Sequence, residues 1–228
     1  MTLTELKDTW QDVEAYHKTI HEHFTDLVNA DPILNEHRTW VEQNVWGFGE
    51  RSFHYLWKIL LDELPKKPSI LEIGCFRGQT LSLFSLLRPD ATIVGITPLS
   101  TEGGMWESDY DGDIRKIHEH FDLRLPLIIK GLSEDGEVID TARGEYDLVY
   151  IDGGHERRHI DNDMKYYAPM VVSGGYLVID DACTDFHMPW GYFQGIAPVT
   201  EGVLAYMDNN KNWEFVASVV HLRIYKRI

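Results

Sequence analysis

From Ser69 onward the chain alternates short apolar runs with stretches whose apolar residues recur every three to four positions. The runs predict strands at Ser69–Ile73, Thr92–Ile96, Leu127–Lys130, Asp147–Ile151 and Tyr176–Ile179; the periodic stretches predict helices around Gln79–Leu87, Ile114–Phe121 and Ile160–Val171. Strands that are apolar throughout suit a parallel sheet covered on both faces. Trp213–Val220 and Leu222–Lys226 read as two further strands joined tightly at His221. A hairpin cannot be parallel, so one of them must run against the sheet. The expected architecture is α/β, in three layers.

The first third of the chain has a helical rhythm. Leu3, Leu6, Trp10, Val13, Ile20, Phe24 and Leu27 fall near helical spacing, and Thr2 with Glu5 forms a capping box. Asp31-Pro32 interrupts the pattern, Gly47-Phe48-Gly49 interrupts it again, and a last helical stretch from Glu50 to Leu64 stops at Pro65. Residues 1–64 therefore read as a helical extension packed on a domain of residues 65–228. Such an extension could support a homodimer or cover its own active site, and the sequence leaves both open.

Charge narrows the partners. Against 21 Lys and Arg stand 37 Asp and Glu, so the net charge is 21 − 37 = −16. That balance argues against general affinity for nucleic acid or an anionic membrane. The start of the chain has neither the basic nor the apolar part of a signal peptide, and no apolar run is long enough for a bilayer. Cys75 and Cys183 are the only cysteines, too few for a secreted disulfide framework. Cytoplasm is the expected compartment.

Two segments carry the chemistry. In "ILEIGCFRGQTLSLF", Glu72, Gly74 and Gly78 form E-x-G-x-x-x-G at a strand-to-helix turn, where glycine lets a ligand approach the backbone. A dinucleotide site would prefer G-x-G-x-x-G, yet Phe76 stands two residues after Gly74. The turn suits a nucleoside without phosphates. In "YDLVYIDGGHERRHIDNDMKYYAPMVVSGGYLVIDDA", Asp152 follows one strand, with His155 just beyond, and Asp180 and Asp181 follow the next. Ligands gather beyond the carboxyl ends of strands in open parallel sheets, and all these groups would project there. Two adjacent carboxylates repel each other and resist burial, so the pair needs a reason.

On these motifs the chain resembles the class I S-adenosylmethionine-dependent methyltransferases, and more narrowly the metal-dependent macrocin O-methyltransferase type and its cephalosporin-hydroxylase-like relatives. The resemblance covers Ser69 to Ala182 well, extends to the C-terminal hairpin and is thin over the first sixty or so residues. It implies a Rossmann-like methyltransferase fold with an antiparallel C-terminal strand. It also implies S-adenosylmethionine held by Glu72, Gly74 and Gly78, with Phe76 and Asp152 beside them. Further implied are a divalent cation, Mg²⁺, on Asp152, Asp180 and Asp181, and His155 as general base. The acceptor would be a hydroxyl of a small sugar-like or natural-product substrate. Hard oxygen ligands suit Mg²⁺, and the cation would offset the repulsion between the aspartates. Successive strand residues face opposite ways, so both aspartates reach one ion only if the strand bends or ends between them. Otherwise Asp180 alone is functional and Asp181 caps the next segment.

The chain departs from the pattern at the second strand, where "IVGITPLS" places Thr97 at the usual ribose-binding acid. One hydroxyl cannot make the charge-assisted pair of bonds a carboxylate makes, so Glu102 is an alternative. Ser133 is the candidate for the adenine end. Other readings stay open: a metal-independent methyltransferase, a nicotinamide-dependent oxidoreductase, and a binding protein that retains the fold.

Remaining motifs read more plainly. His17 and His21, four apart, read as a solvated helix face, and "DYDGD" at Asp109 to Asp113 as a flexible acidic loop. Cys75 would matter through its backbone. Asp163 matches an acidic position of the family or else packs helix on strand. "CTDFHMPWGYFQGIAP" reads as a substrate-facing loop, with His187, Trp190 and Tyr192 as candidate contacts.

Overall fold

The structure, a computed structural model, describes residues 1–8, 13–47, 49–99, 109–186 and 191–228, without the side chains of residues 7–8 and 13–15. Trp10, Phe48, Glu102, His187 and Trp190 lie outside the described residues. Seven strands, β1 (Ser69–Ile73), β2 (Thr92–Thr97), β3 (Leu127–Lys130), β4 (Tyr146–Ile151), β5 (Val171–Ile179), β6 (Trp213–Val219) and β7 (Leu222–Arg227), form one sheet in the order β3-β2-β1-β4-β5-β7-β6. β1 to β5 pair in parallel; β7 is antiparallel to both β5 and β6. The hairpin strand that runs against the sheet is thus β7.

Alternation along the strands divides the core in two. On one face Ile70, Leu148, Tyr150, Tyr176 and Val178 pack with the N-terminal helices α1 (Leu3–Asp8), α2 (Val13–Ala30), α3 (Pro32–Asn44) and α4 (Phe53–Asp62), and with α5 (Gln79–Leu87). On the other, Leu71, Ile73, Val149, Ile151, Leu177 and Ile179 pack with α7 (Gly136–Ala142), α8 (Arg157–Tyr166) and α9 (Ala197–Met207). The extension shares the domain's core: Leu3, Leu6, Phe24, Leu56 and Leu60 are buried in the same cluster as Ile70. Each such side chain contributes about 1.5–3 kcal/mol relative to exposure. The Thr2–Glu5 capping box is present, with Thr2 N donating to Glu5 Oε2 at 2.7 Å and Glu5 N to Thr2 Oγ1 at 3.2 Å.

Several expectations change. "DYDGD" is not a loop: Asp109 caps α6 (Tyr110–His120) by accepting from Gly112 N at 2.9 Å, and Asp111 and Asp113 favour the positive end of the helix. Nor is the His17–His21 face solvated. His17 is buried against Tyr16 and Phe186, while His21 lies 3.0 Å from Ser52 Oγ and edge-on to Tyr192 at 5.0 Å. β5 begins at Val171, five residues earlier than its apolar run, because Ala168–Met170 forms a 3₁₀ turn that ends α8.

Candidate functional site

The carboxyl ends of β1, β4 and β5 and the β6–β7 turn converge on one group of ionisable side chains. β1 delivers Glu72 on the face shared with Tyr150, its register partner on β4. Glu72 is 2 % exposed, and its Oε2 has no hydrogen-bond partner. Burial, and after it the charge of Asp180, holds this carboxyl well above its usual range. Gly74 follows with φ +90°; a Cβ there would sit 1.8 Å from the Asp152 carbonyl oxygen, so only glycine lets the exits of β1 and β4 pass. Phe76, itself at φ +38°, lays its ring edge-on to Tyr110 at 5.1 Å, and Gly78 opens α5 from the left-handed region.

The aspartate pair answers the strand-face problem through its backbone. β5 ends at Ile179, and Asp181 takes φ +56°, turning the chain. Asp180 Oδ1 accepts from Asp181 N at 3.0 Å. The loop then returns: Ile196 N donates to Asp181 O at 2.9 Å, and a Cβ on Gly195 would lie 2.3 Å from that oxygen. Gly195 therefore lets the chain clamp Asp181 from behind.

The expected third member stands slightly apart. Ligand atoms of Asp180, Asp181 and His221 lie within 4.8 Å of one another, with His221 Nε2 3.2 Å from Asp180 Oδ1. Asp152 is joined to this cluster through Tyr150, whose hydroxyl is 3.1 Å from Asp152 Oδ2 and 3.2 Å from Asp180 Oδ2. The Tyr150 proton can serve only one of these carboxylates at a time. Burial, then Asp180, Asp181 and Glu72, raises the Asp152 carboxyl well above its usual range; burial and Asp180 push Asp181 up to about 6, against the opposing His221 and His155. Among the described residues no Lys or Arg forms an ion pair with Asp152, Asp180 or Asp181. His155 Nε2 lies 3.3 Å from Asp181 Oδ2, with its side chain 48 % exposed.

Helix α4 packs against this cluster: Phe53 sits edge-on to His221 at 4.9 Å and Trp57 to Tyr150 at 4.8 Å. Tyr150, His221 and these two aromatics carry no motif and were not among the sequence candidates.

The remaining candidates are placed as follows. Thr97 ends β2, buried, its Oγ1 accepting from Leu99 N at 3.2 Å. Ser133 is held after β3 by its carbonyl, which accepts from Tyr167 Oη at 2.8 Å and Asn162 Nδ2 at 3.3 Å. Asp163 is buried behind Gly153, and burial pushes its carboxyl up to about 6. Tyr192 lies against α2. Cys75 is buried and its thiol points at the Glu72 and Ile96 carbonyls, a packing role.

Sheet order, glycine loop and acidic strand ends define the Rossmann-like fold shared by known methyltransferases. Residues 71–182 match the family model described as a methyltransferase domain. An uncharacterised protein of Acanthamoeba polyphaga mimivirus is 30% identical over 151 residues, 62% of this chain; the chain spans only 64% of that relative's length. A solved structure from Staphylococcus aureus, a candidate caffeoyl-CoA O-methyltransferase, superposes with a TM-score of 0.65 at 16% identity, covering 91% of this chain and 99% of that one. The MycE methyltransferase of the mycinamycin pathway, in complex with Mg, S-adenosylhomocysteine and mycinamycin VI, gives 0.57 at 20% identity over 86% of this chain and 54% of its own. A TDP-rhamnose 3'-O-methyltransferase of calicheamicin biosynthesis gives 0.57 at 12% identity over 92% and 93%. At these identities the solved structures establish the shared fold. Among the described residues no helix is long and apolar enough to cross a membrane.

Proposed function

We propose that this protein is an S-adenosylmethionine-dependent O-methyltransferase that uses a divalent cation to methylate a hydroxyl of a small sugar-like or natural-product substrate. The observation that carries this reading is the donor deficit around Asp152, Asp180 and Asp181: one buried and two part-buried carboxylates held together with too few protons and no Lys or Arg partner among the described residues. Buried anions require a counter-charge, and hard oxygen donors suit Mg²⁺. Glu72, with a buried oxygen still unpartnered, fits a cofactor that offers hydroxyl or amine hydrogens. The comparisons support the class; MycE is one structural neighbour seen with both Mg and S-adenosylhomocysteine.

A bound sulfonium cofactor supplies the methyl group, and a bound divalent cation supplies positive charge that makes a neighbouring hydroxyl more acidic. Asp180 and Asp181 would hold the cation, with Asp152 tied to them by Tyr150. Glu72 and the glycine loop would hold the cofactor, with Thr97 and Ser133 at its nucleoside end. His155 directs Nε2 at Asp181, which favours the hydrogen on that nitrogen and leaves Nδ1 to take the acceptor proton. Its exposure lets that proton pass to solvent. Phe53 and Trp57, packed against the cluster, keep bulk water from the charged groups and strengthen every interaction among them.

The test is methyl transfer from labelled S-adenosylmethionine to a panel of sugars and polyols, before and after chelation. Turnover should fall on the order of 10²-fold or more on chelation and return when a divalent cation is restored, since such charge stabilisation is worth several kcal/mol. Turnover indifferent to the chelator would remove the cation from the account.

A further inference from the structure

His221 enters the cluster from an element that no sequence motif marks. It lies in the Val220-His221 turn between β6 and β7, and its carbonyl accepts from Ala182 N at 3.0 Å, which ties the turn to the residue after the aspartate pair. The ring is fixed edge-on between Phe53 at 4.9 Å and Phe193 at 5.2 Å, with the residue 6 % exposed. Nδ1 is buried without a partner, while Nε2 points at Asp180 Oδ1 from 3.2 Å. Neighbouring ligands on an ion with bonds of about 2.0–2.2 Å stand roughly 3 Å apart, and opposite ones just over 4 Å. Donor atoms of His221, Asp180 and Asp181 gathered within 4.8 Å already approach that spacing.

We propose that His221 Nε2 is a direct ligand of the cation held by Asp180 and Asp181. This rests on the cation reading given above and goes beyond it, because it changes the donor set from all oxygen to two carboxylates and an imidazole. Imidazole favours first-row transition ions, whereas Mg²⁺ prefers oxygen and dehydrates reluctantly. The site therefore selects Mn²⁺ or a later divalent ion over Mg²⁺. A structural role for His221 would instead leave the imidazole outside the coordination sphere, merely orienting Asp180.

Titration of the metal-free chain with Mn²⁺, followed by electron paramagnetic resonance and spin-echo spectroscopy, separates these. We expect a bound Mn²⁺ whose echo carries a histidine-nitrogen coupling in the unaltered chain. The coupling should persist in His155→Gln and vanish in His221→Gln, whose affinity for Mn²⁺ should fall at least about tenfold, the lower end of what loss of even an outer partner costs. Mg²⁺ should displace Mn²⁺ from the unaltered chain only at a large excess. A bound Mn²⁺ without nitrogen coupling, or a coupling lost in His155→Gln and kept in His221→Gln, overturns the assignment and leaves the carboxylate cation site standing. Absence of Mn²⁺ binding to the unaltered chain overturns both. The echo of the unaltered chain, with ¹⁵N-histidine labelling to identify the nucleus, decides even if His221→Gln fails to fold.

Discussion

Replacing His155 by alanine will lower methyl transfer by about 10²–10⁴-fold, the span of general-base catalysis, and leave affinity for S-adenosylhomocysteine within about twofold. The expectation follows from where the imidazole sits. It stands at the outer edge of the cluster, within 3.3 Å of Asp181 and nearly half exposed, on the loop between β4 and α8 rather than against Glu72 and the glycine turn. Removing it takes away a proton acceptor without touching the groups proposed to hold the cofactor. Its exposure also means that little packing is lost, so the thermal transition should stay close to that of the unaltered chain. Kinetics under saturating cofactor, beside calorimetry of the cofactor product, check it. Turnover unchanged by the substitution would remove His155 from the chemistry.

Asp181→Asn should pull stability and activity in opposite directions. Burial and Asp180 push the Asp181 carboxyl up to about 6 from 3.8, so the folded chain holds the proton more tightly than the unfolded one. The sign follows: below about pH 4 both forms are protonated and the group costs nothing, the cost grows between about pH 4 and 6, and it is full above that. Asparagine removes the charge and tolerates the left-handed conformation at φ +56°. The metal-free variant should therefore melt higher than the metal-free parent at pH 8, and the difference should vanish near pH 4. Divalent cation should raise the melting temperature of the parent at pH 8 and leave that of the variant nearly unchanged. Turnover of the variant should fall by about 10²–10³-fold, as expected when charge worth several kcal/mol is lost. A variant that melts lower at pH 8, or keeps its response to cation, would show that Asp181 is a structural cap.

How much of this was legible in the chain depends on range. The central strands announced themselves because β1, β2 and β4 each carry a run of apolar residues, and one antiparallel hairpin strand followed from a turn too short for a crossover. α9 carries no such signal: Pro198 stands in its first turn, and its buried Val199, Gly202 and Val203 mingle with apolar residues on the other side. Gly202 fits there because a Cβ would meet Ile160 at 2.4 Å, a contact set by α8 and invisible locally. The aspartate pair was legible as a charge problem at a strand end, and so was the need for the chain to bend or the strand to end between its members. What resolves it, a left-handed Asp181 clamped by Gly195, depends on a loop that returns fourteen residues later. Tyr150 read as one more strand residue, since its meeting with two carboxylates requires the β4–β5 register. His221 was seen only as a turn, because the hairpin that brings it to Asp180 is paired across the sheet from a distant segment.

The most direct test of the account is calorimetric titration of the metal-free protein with S-adenosylhomocysteine, repeated with divalent cation and with Glu72→Gln. Binding near micromolar to the unaltered chain is expected in both conditions, an affinity worth about 8 kcal/mol, with clear weakening in Glu72→Gln. No binding in either condition would contradict it, leaving a methyltransferase fold whose glycine loop and buried glutamate serve something other than this cofactor.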